Sequence, residues 1–396
     1  MDLVIFNAIL YVGASLLYWS IRRKIDAGFV LLSVYAAIAI ACVFNYAASP
    51  WEWDLQLWPF LYLFAISMLF FRPYFFDSDL IRKKLLVTNQ QVLIYFANFY
   101  IICSLMAIYY LLPQAIENIR SGEWSVLRNE LYQDGIQLYS SQVERIAMIL
   151  VSYLKPLAII LLFFFLTLYK KRPVWLIILA ISITLPVFLT AINVASRGML
   201  VSFAITSFLG YIIFRREISK TIRKIVGVFA GVLLVFFLIY SLAVTASRFG
   251  QDDQTSSLIY YFGHSMLTFN YGIADSIHSY LNGEHFFGWF YDKLGLAHYG
   301  GIKHSELGTH FGTAFFTFVG AWYLDFGPFG TFLIALFLPM AMISIFRYKR
   351  VLDIADVYIY LFYLDYLVMG VFVYGRGYGL AWFIAFMVYG FLKILK

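Results

Sequence analysis

The chain is poor in the residues that build soluble enzymes. Only 13% of its 396 residues are charged, and only two are cysteine. Cys42 and Cys103 both sit within long apolar runs, which excludes a disulfide framework and a cysteine-rich metal site. There is no low-complexity tract, no repeat of fixed period and no soluble domain. Histidine is scarce as well. All six lie between His264 and His310, at intervals of 14, 7, 13, 6 and 6, so no His-x-x-x-His pair exists. A zinc site would have to be assembled by folding alone, and neither a metal nor any other cofactor is expected.

Apolar sequence fills the space. Hydrophobic residues make up 62% of the chain and the mean hydropathy is +0.80, far from an ordinary soluble domain. A hydrocarbon core of about 30 Å needs about 20 apolar residues per helix. Runs that qualify are 2–20, 27–44, 55–71, 92–112, 146–168, 174–193, 199–214, 225–243, 326–346, 356–373 and 380–395. The expected fold is therefore an all-α polytopic membrane protein of about 11 transmembrane helices, forming a single membrane domain over 1–396.

Charge orients it. Twenty of the 29 basic residues, from Arg22, Arg23 and Lys24 to Lys393 and Lys396, fall in alternate connections that should face the cytoplasm. Eight fall on the other side: Arg120, Arg128, Arg145, Arg197, Arg248, Lys293, Lys303 and Arg376. The N-terminus is then outside and the C-terminus inside. No basic residue precedes the first span, which reads as a reverse-oriented anchor rather than a cleaved signal. The net charge of +7 reflects this topology, so the bilayer is a partner and nucleic acid is not.

Two outer loops are long, 113–144 and 244–325, the second between spans 8 and 9 and carrying every histidine. The first has a weak amphipathic pattern in Ile116, Ile119, Trp124, Leu127 and Leu131. Within the second, Leu258–Leu281 reads as a helix, with Ile259, Phe262, Met266, Phe269 and Ile273 at helical spacing. Gly283–Gly308, rich in glycine and aromatics, reads as an ordered loop.

Candidate chemistry gathers on that outer side. Arg197 sits in Ala195-Ser196-Arg197-Gly198, a hairpin between two spans, where arginine is expensive unless it meets an anion. Its planar fork suits a phosphate; the bland alternative is a side chain snorkelling to headgroups. Arg248 follows the eighth span, Arg376 lies in Gly375-Arg376-Gly377-Tyr378-Gly379, and Arg128 lies in the first outer loop. Arginines at separate helix ends could converge on one anion. Two acidic pairs resemble the Asp-x-Asp motifs of glycosyltransferases. Asp77-Ser78-Asp79 reads as a solvated cap on a basic cluster, whereas Glu52-Trp53-Asp54 lies in the short outer loop between the second and third spans. Lys155-Pro156 lies inside a span, with Asp365 as a conceivable partner.

Three stretches carry a family resemblance: Val194–Gly198 opening a span; Leu258–Gly263; and Thr313–Phe318 leading to Tyr323-Leu324-Asp325-Phe326-Gly327-Pro328-Phe329-Gly330. With them the chain resembles the Wzy-type polymerases of O-antigen and capsule repeat units. The match covers roughly 194–330, and the first half agrees only in hydropathy. The resemblance implies a GT-C-like enzyme of the bacterial inner membrane with a periplasmic active face. It implies undecaprenyl-diphosphate-linked oligosaccharides as substrates, with a flippase and a chain-length regulator as partners. Arg197, Arg248, Arg376 and Arg128 would bind the diphosphate, no metal would be required, and His310 or Asp325 would take the acceptor's proton. An O-antigen ligase would use the same donor, and a lipid-linked oligosaccharide flippase would do no bond chemistry.

The charge distribution gives the first test. A reporter fused after Gly283 should be exposed outside the cytoplasm and one after Lys220 inside it. Both on one side would mean that the spans between them are miscounted.

Overall fold

The computed structural model describes residues 1–48, 54–76, 84–85, 90–124, 126–127, 141–168, 173–249, 262–277, 279–296, 316–346, 351–371 and 378–395. These are almost entirely helical. In chain order they form α1 (Asp2–Arg22), α2 (Ala27–Ala48), α3 (Leu57–Phe76), α4 (Gln90–Ser121), α5 (Gln142–Thr167), α6 (Pro173–Asn193), α7 (Gly198–Phe214) and α8 (Lys220–Phe249). Next come α9, which is α-helical over 262–268 and π-helical over Phe269–Ala274, and then α10 (Gly288–Leu294). The chain closes with α11 (Phe318–Phe346), α12 (Ile354–Met369) and α13 (Tyr378–Ile394). Eight of these helices are long and apolar enough to cross a bilayer, and α7 and α13 are shorter apolar ones. Their length and composition suit a polytopic membrane protein.

Several helices overrun the apolar segments that announce them, because hydropathy marks only the part of a helix that suits hydrocarbon. α4 continues through Pro113 to Ser121, into the loop expected at 113–144. α8 runs on to Phe249, so Arg248 is helical. α11 begins at Phe318 rather than at 326, and α12 spans only 16 residues. The helix expected over Leu258–Leu281 is seen from 262 and ends at Ala274.

The described residues form two compact units interleaved along the sequence. The first comprises Met1–Leu80, Thr255–Arg350 and Phe362–Met387; the second comprises Ile81–Gln254, Val351–Leu361 and Val388–Lys396.

In the first unit α1 and α2 pair across a tight reversal. Arg23 adopts a left-handed conformation (φ 48°) and its N–H returns to the Trp19 carbonyl, a usual helix stop. Asp26 then caps α2, accepting the Phe29 N–H and the Tyr18 hydroxyl at 3.0 Å each. α3 packs along α11. Side chains from neighbouring helices finish helix ends. The Tyr35 hydroxyl donates to the Leu367 carbonyl at 2.9 Å, and the Arg22 guanidinium donates to the Phe75 carbonyl at 2.6 Å. α9 approaches α2 so closely that a β-carbon on Gly263 would collide with the Ala41 carbonyl.

In the second unit α4 packs against α5 and α6, and α5 against α7. Ser141 caps α5 by accepting the Glu144 N–H at 3.2 Å. Lys84–Leu85 and Val351–Leu352 make a two-residue parallel ladder, which joins the connection after α3 to the one after α11. Asp353 and Asp356 cap α12 reciprocally, each accepting the other's backbone N–H. Lys393 lies 2.5 Å from Asp353 and 2.8 Å from Asp356. α8 exposes large apolar residues on most of its surface, among them Val228, Val232, Phe236 and Ile239, as a helix in hydrocarbon requires.

Two glycines separate packing from propensity. Gly263→Ala should cost about 1–3 kcal/mol through overpacking. Gly13→Ala, where nothing lies within 4 Å of the added carbon, should be neutral or gain up to about 1 kcal/mol from helix propensity. Thermal unfolding in detergent reads both, and equal effects would contradict the close approach of α9 to α2.

Candidate functional site

The Asp-Phe-Gly-Pro-Phe-Gly stretch lies inside α11 and breaks it. Gly327 has φ 67° and ψ −175°, a conformation essentially reserved for glycine. A side chain there would also meet the Tyr280 ring at 2.8 Å. Pro328 reopens the helix, where its missing N–H costs nothing. Its carbonyl accepts the Tyr62 hydroxyl at 2.6 Å.

Asp325 is wholly buried and works on the backbone. Its Oδ1 accepts the His285 N–H at 2.9 Å, and its Oδ2 accepts the Phe286 N–H at 2.8 Å. Two main-chain bonds add to the grip: Leu281 N–H to the Leu324 carbonyl at 3.0 Å, and Asn282 N–H to the Asp325 carbonyl at 2.9 Å. The turn 281–286 curls around the carboxylate through two positive φ angles, 51° at Asn282 and 92° at Gly283. Successive N–H groups converging on an anion form a nest. The ring of Phe286 stacks on Trp322 at 3.9 Å, and the Trp322 indole donates to the Tyr366 hydroxyl at 2.9 Å. Asp325 therefore anchors a turn. Each of its oxygens accepts one amide and keeps a further lone pair, so anchoring the turn leaves the expected role as proton acceptor open.

A second constellation in the same unit joins the head of α3 to the end of α9. The Asn270 side chain pairs with the Gln56 backbone in both directions. Its Oδ1 accepts the Gln56 N–H at 3.0 Å, and its Nδ2 donates to the Gln56 carbonyl at 2.7 Å. The Gln56 side chain donates to Asp275 Oδ1 at 2.5 Å. Asn270 and Asp275 are five residues apart, a spacing that the π-helical turn brings together: the Asp275 N–H bonds the Asn270 carbonyl. Beside this polar cluster the rings of Tyr62, Phe269, Tyr323 and Tyr280 lie 5.9–6.5 Å apart, and Trp58 lies 6.0 Å from Tyr62. The Tyr323 hydroxyl reaches the Ala274 carbonyl at 3.4 Å, next to Asp275. No motif in the sequence marks this group; its one signal is a pair of polar residues five apart in an apolar helix.

Arg197 belongs to the second unit, where it is the N-cap of α7 and half-buried. The hairpin that carries it turns through Ala195 at φ 47°. Side chains fix the end of α6 just before it. Asn193 donates to the Leu111 carbonyl at 3.1 Å and accepts from Asn118 at 3.2 Å. The Tyr240 hydroxyl donates to the Ala191 carbonyl at 2.6 Å, and its ring packs edge-on to Trp124.

No protein-family model, curated protein or solved structure matches the chain. Of the other expected site residues, His310, Arg128 and Arg376 lie outside the described residues, as does the side chain of Arg248. Glu52 and Asp77–Asp79 lie outside them too, while Asp54 is exposed just before α3. His264 and His285, the two histidines among the described residues, are both buried, and the His285 ring faces Phe316 at 6.0 Å. Lys155 is half-buried in α5 and Asp365 half-buried in α12, in different units. Among the described residues, no three His, Cys, Asp or Glu side chains are grouped to hold a metal ion.

The anchoring role makes a measurable demand. Asp325→Ala strands two buried amides at about 1–3 kcal/mol each. Hydrogen exchange at His285 and Phe286 should accelerate together, and thermal stability should fall. Asp325→Asn keeps one acceptor and should lose about half as much. Unchanged exchange in Asp325→Ala would refute the anchor.

Proposed function

We propose that the chain is a polymerase of surface polysaccharide, of the Wzy type, acting at the periplasmic face of a bacterial inner membrane. It joins oligosaccharide repeat units carried on undecaprenyl diphosphate. The acceptor hydroxyl attacks the donor's anomeric carbon, a glycosidic bond forms, the bond to the diphosphate breaks, and the hydroxyl proton passes to a base. A flippase would supply the repeat units and a chain-length regulator would modulate the product. The architecture would then be GT-C-like.

The observation that carries this reading is Arg197 at the N-cap of α7. Negative charge developing on the leaving diphosphate needs fixed positive partners. The dipole of a helix start favours an anion, and an arginine at the N-cap adds a planar fork to it. Arg248, Arg376 and Arg128 are the further candidate ligands of the diphosphate in this reading. His310 or Asp325 serves as base; an ordinary histidine accepts a proton near pH 6.5. Asp325 shapes the 281–286 turn. Arginines replace the charge stabilisation that a metal would give.

Arg197→Ala should abolish polymer while protein level and insertion persist. Arg197→Lys should recover only part of it, keeping the charge and losing the fork. His310→Ala should bind lipid-linked donor yet slow extension by about 10²–10⁴, and extension should continue in excess EDTA. Full polymer from Arg197→Ala would overturn the diphosphate assignment. Surface glycan reduced to single-repeat caps after deletion supports a polymerase, whereas loss of all capping would mean a ligase.

A further inference from the structure

The polar rim on Gln56 and Asp275 does more than hold two segments together. Both side chains are exposed, where a simple amide–carboxylate pair is worth little against water. Here Asn270 grips the Gln56 backbone from both sides, so the residue whose amide meets Asp275 is already held beside it. The carboxylate is thereby aimed. Among the described residues Gln56 is its one side-chain partner, and a carboxylate has room for about four hydrogen bonds.

The aromatic wall beside it is equally prepared. Tyr62, Phe269, Tyr323 and Tyr280 brace one another, while Trp58 and Tyr280 each keep 41% of their surface exposed. Flat, electron-rich faces held rigid cost little entropy on binding. They attract the electropositive edges of a ligand. A pyranose ring matches both halves of this surface. Its C–H face lies on an aromatic ring, and its hydroxyls donate to a carboxylate and an amide oxygen.

We propose that Trp58, Tyr280, Gln56 and Asp275 form a subsite for one sugar ring of the glycan, with Asp275 accepting from its hydroxyls and Trp58 or Tyr280 beneath it. The subsite rests on the polymerase reading for its biological ligand, but its chemistry can be tested without polymerisation. The π-helical turn of α9 has a role in it, since π segments recur at functional sites and this one brings Asn270 and Asp275 to a single face.

Saturation-transfer NMR on the full chain in lipid nanodiscs tests it, using the methyl glycosides of glucose, galactose, N-acetylglucosamine and rhamnose as probes. At least one glycoside should receive saturation beyond that seen with empty nanodiscs. The signal should fall at least two-fold in Asp275→Asn and in Trp58→Ala. It should persist in Trp58→Phe, which keeps a flat face, and in Tyr109→Ala, which removes an exposed ring elsewhere. If Trp58→Ala fails to fold, Asp275→Asn decides. Transfer to none of the four, or transfer indifferent to both variants, overturns the subsite and leaves the rings as an interfacial belt. A parallel extension assay with lipid-linked repeat units separates the two ideas. Glycoside binding without extension sinks the polymerase alone, and extension unaffected by Asp275→Asn sinks the subsite alone.

Discussion

Unpaired backbone carbonyls and amides are the constraint this protein must meet everywhere, because hydrocarbon offers them no water. Each helix leaves four of each unpaired at its ends, and this chain satisfies several with side chains borrowed from other helices. Tyr35 serves the end of α12, Arg22 the end of α3, and Tyr240 the end of α6. The first amide of α11, that of Phe318, donates to the carbonyl of Gly370, just past α12. Tyrosine suits this work: it buries a large apolar ring and carries one donor at its tip. An abundance of 31 tyrosines thus has a use beyond belts and core packing.

The same constraint shapes the break in α11. Interrupting a helix within an apolar segment exposes amides and carbonyls, and several carbonyls near Gly327 find partners. The Pro328 carbonyl takes the Tyr62 hydroxyl, while the carbonyls of Leu324 and Asp325 take the amides of Leu281 and Asn282. Asp325 extends that bonding to His285 and Phe286. Glycine, proline and aspartate sit together in the sequence because a bent helix and a nested turn need them together.

Helices were legible in the sequence and their ends were not. Apolar runs located α1, α2, α3 and α6 closely, since most of each helix is apolar and charged residues flank α1. They failed where a helix outlasts its apolar stretch, as α4 does beyond Pro113 and α8 does up to Phe249. The Asp-Phe-Gly stretch could be recognised as special but not interpreted, because its meaning depends on amides some forty residues earlier in the chain. Asn270 was invisible for a different reason: an asparagine in an apolar helix carries no periodic signal, and its partner is a backbone rather than another side chain. Arg197 could be placed at a helix start by the short gap between two spans, and the structure puts it at the N-cap of α7.

The pairing of Asn270 with both the N–H and the carbonyl of Gln56 imitates one rung of a β-ladder, with a side chain standing in for a strand. A rung of that kind recognises main chain and is blind to the residue that bears it. The segment ahead of α3 can therefore change its side chains and stay docked. Attachment is separated from recognition, so new residues can be tried at the rim without first re-inventing how the rim is held.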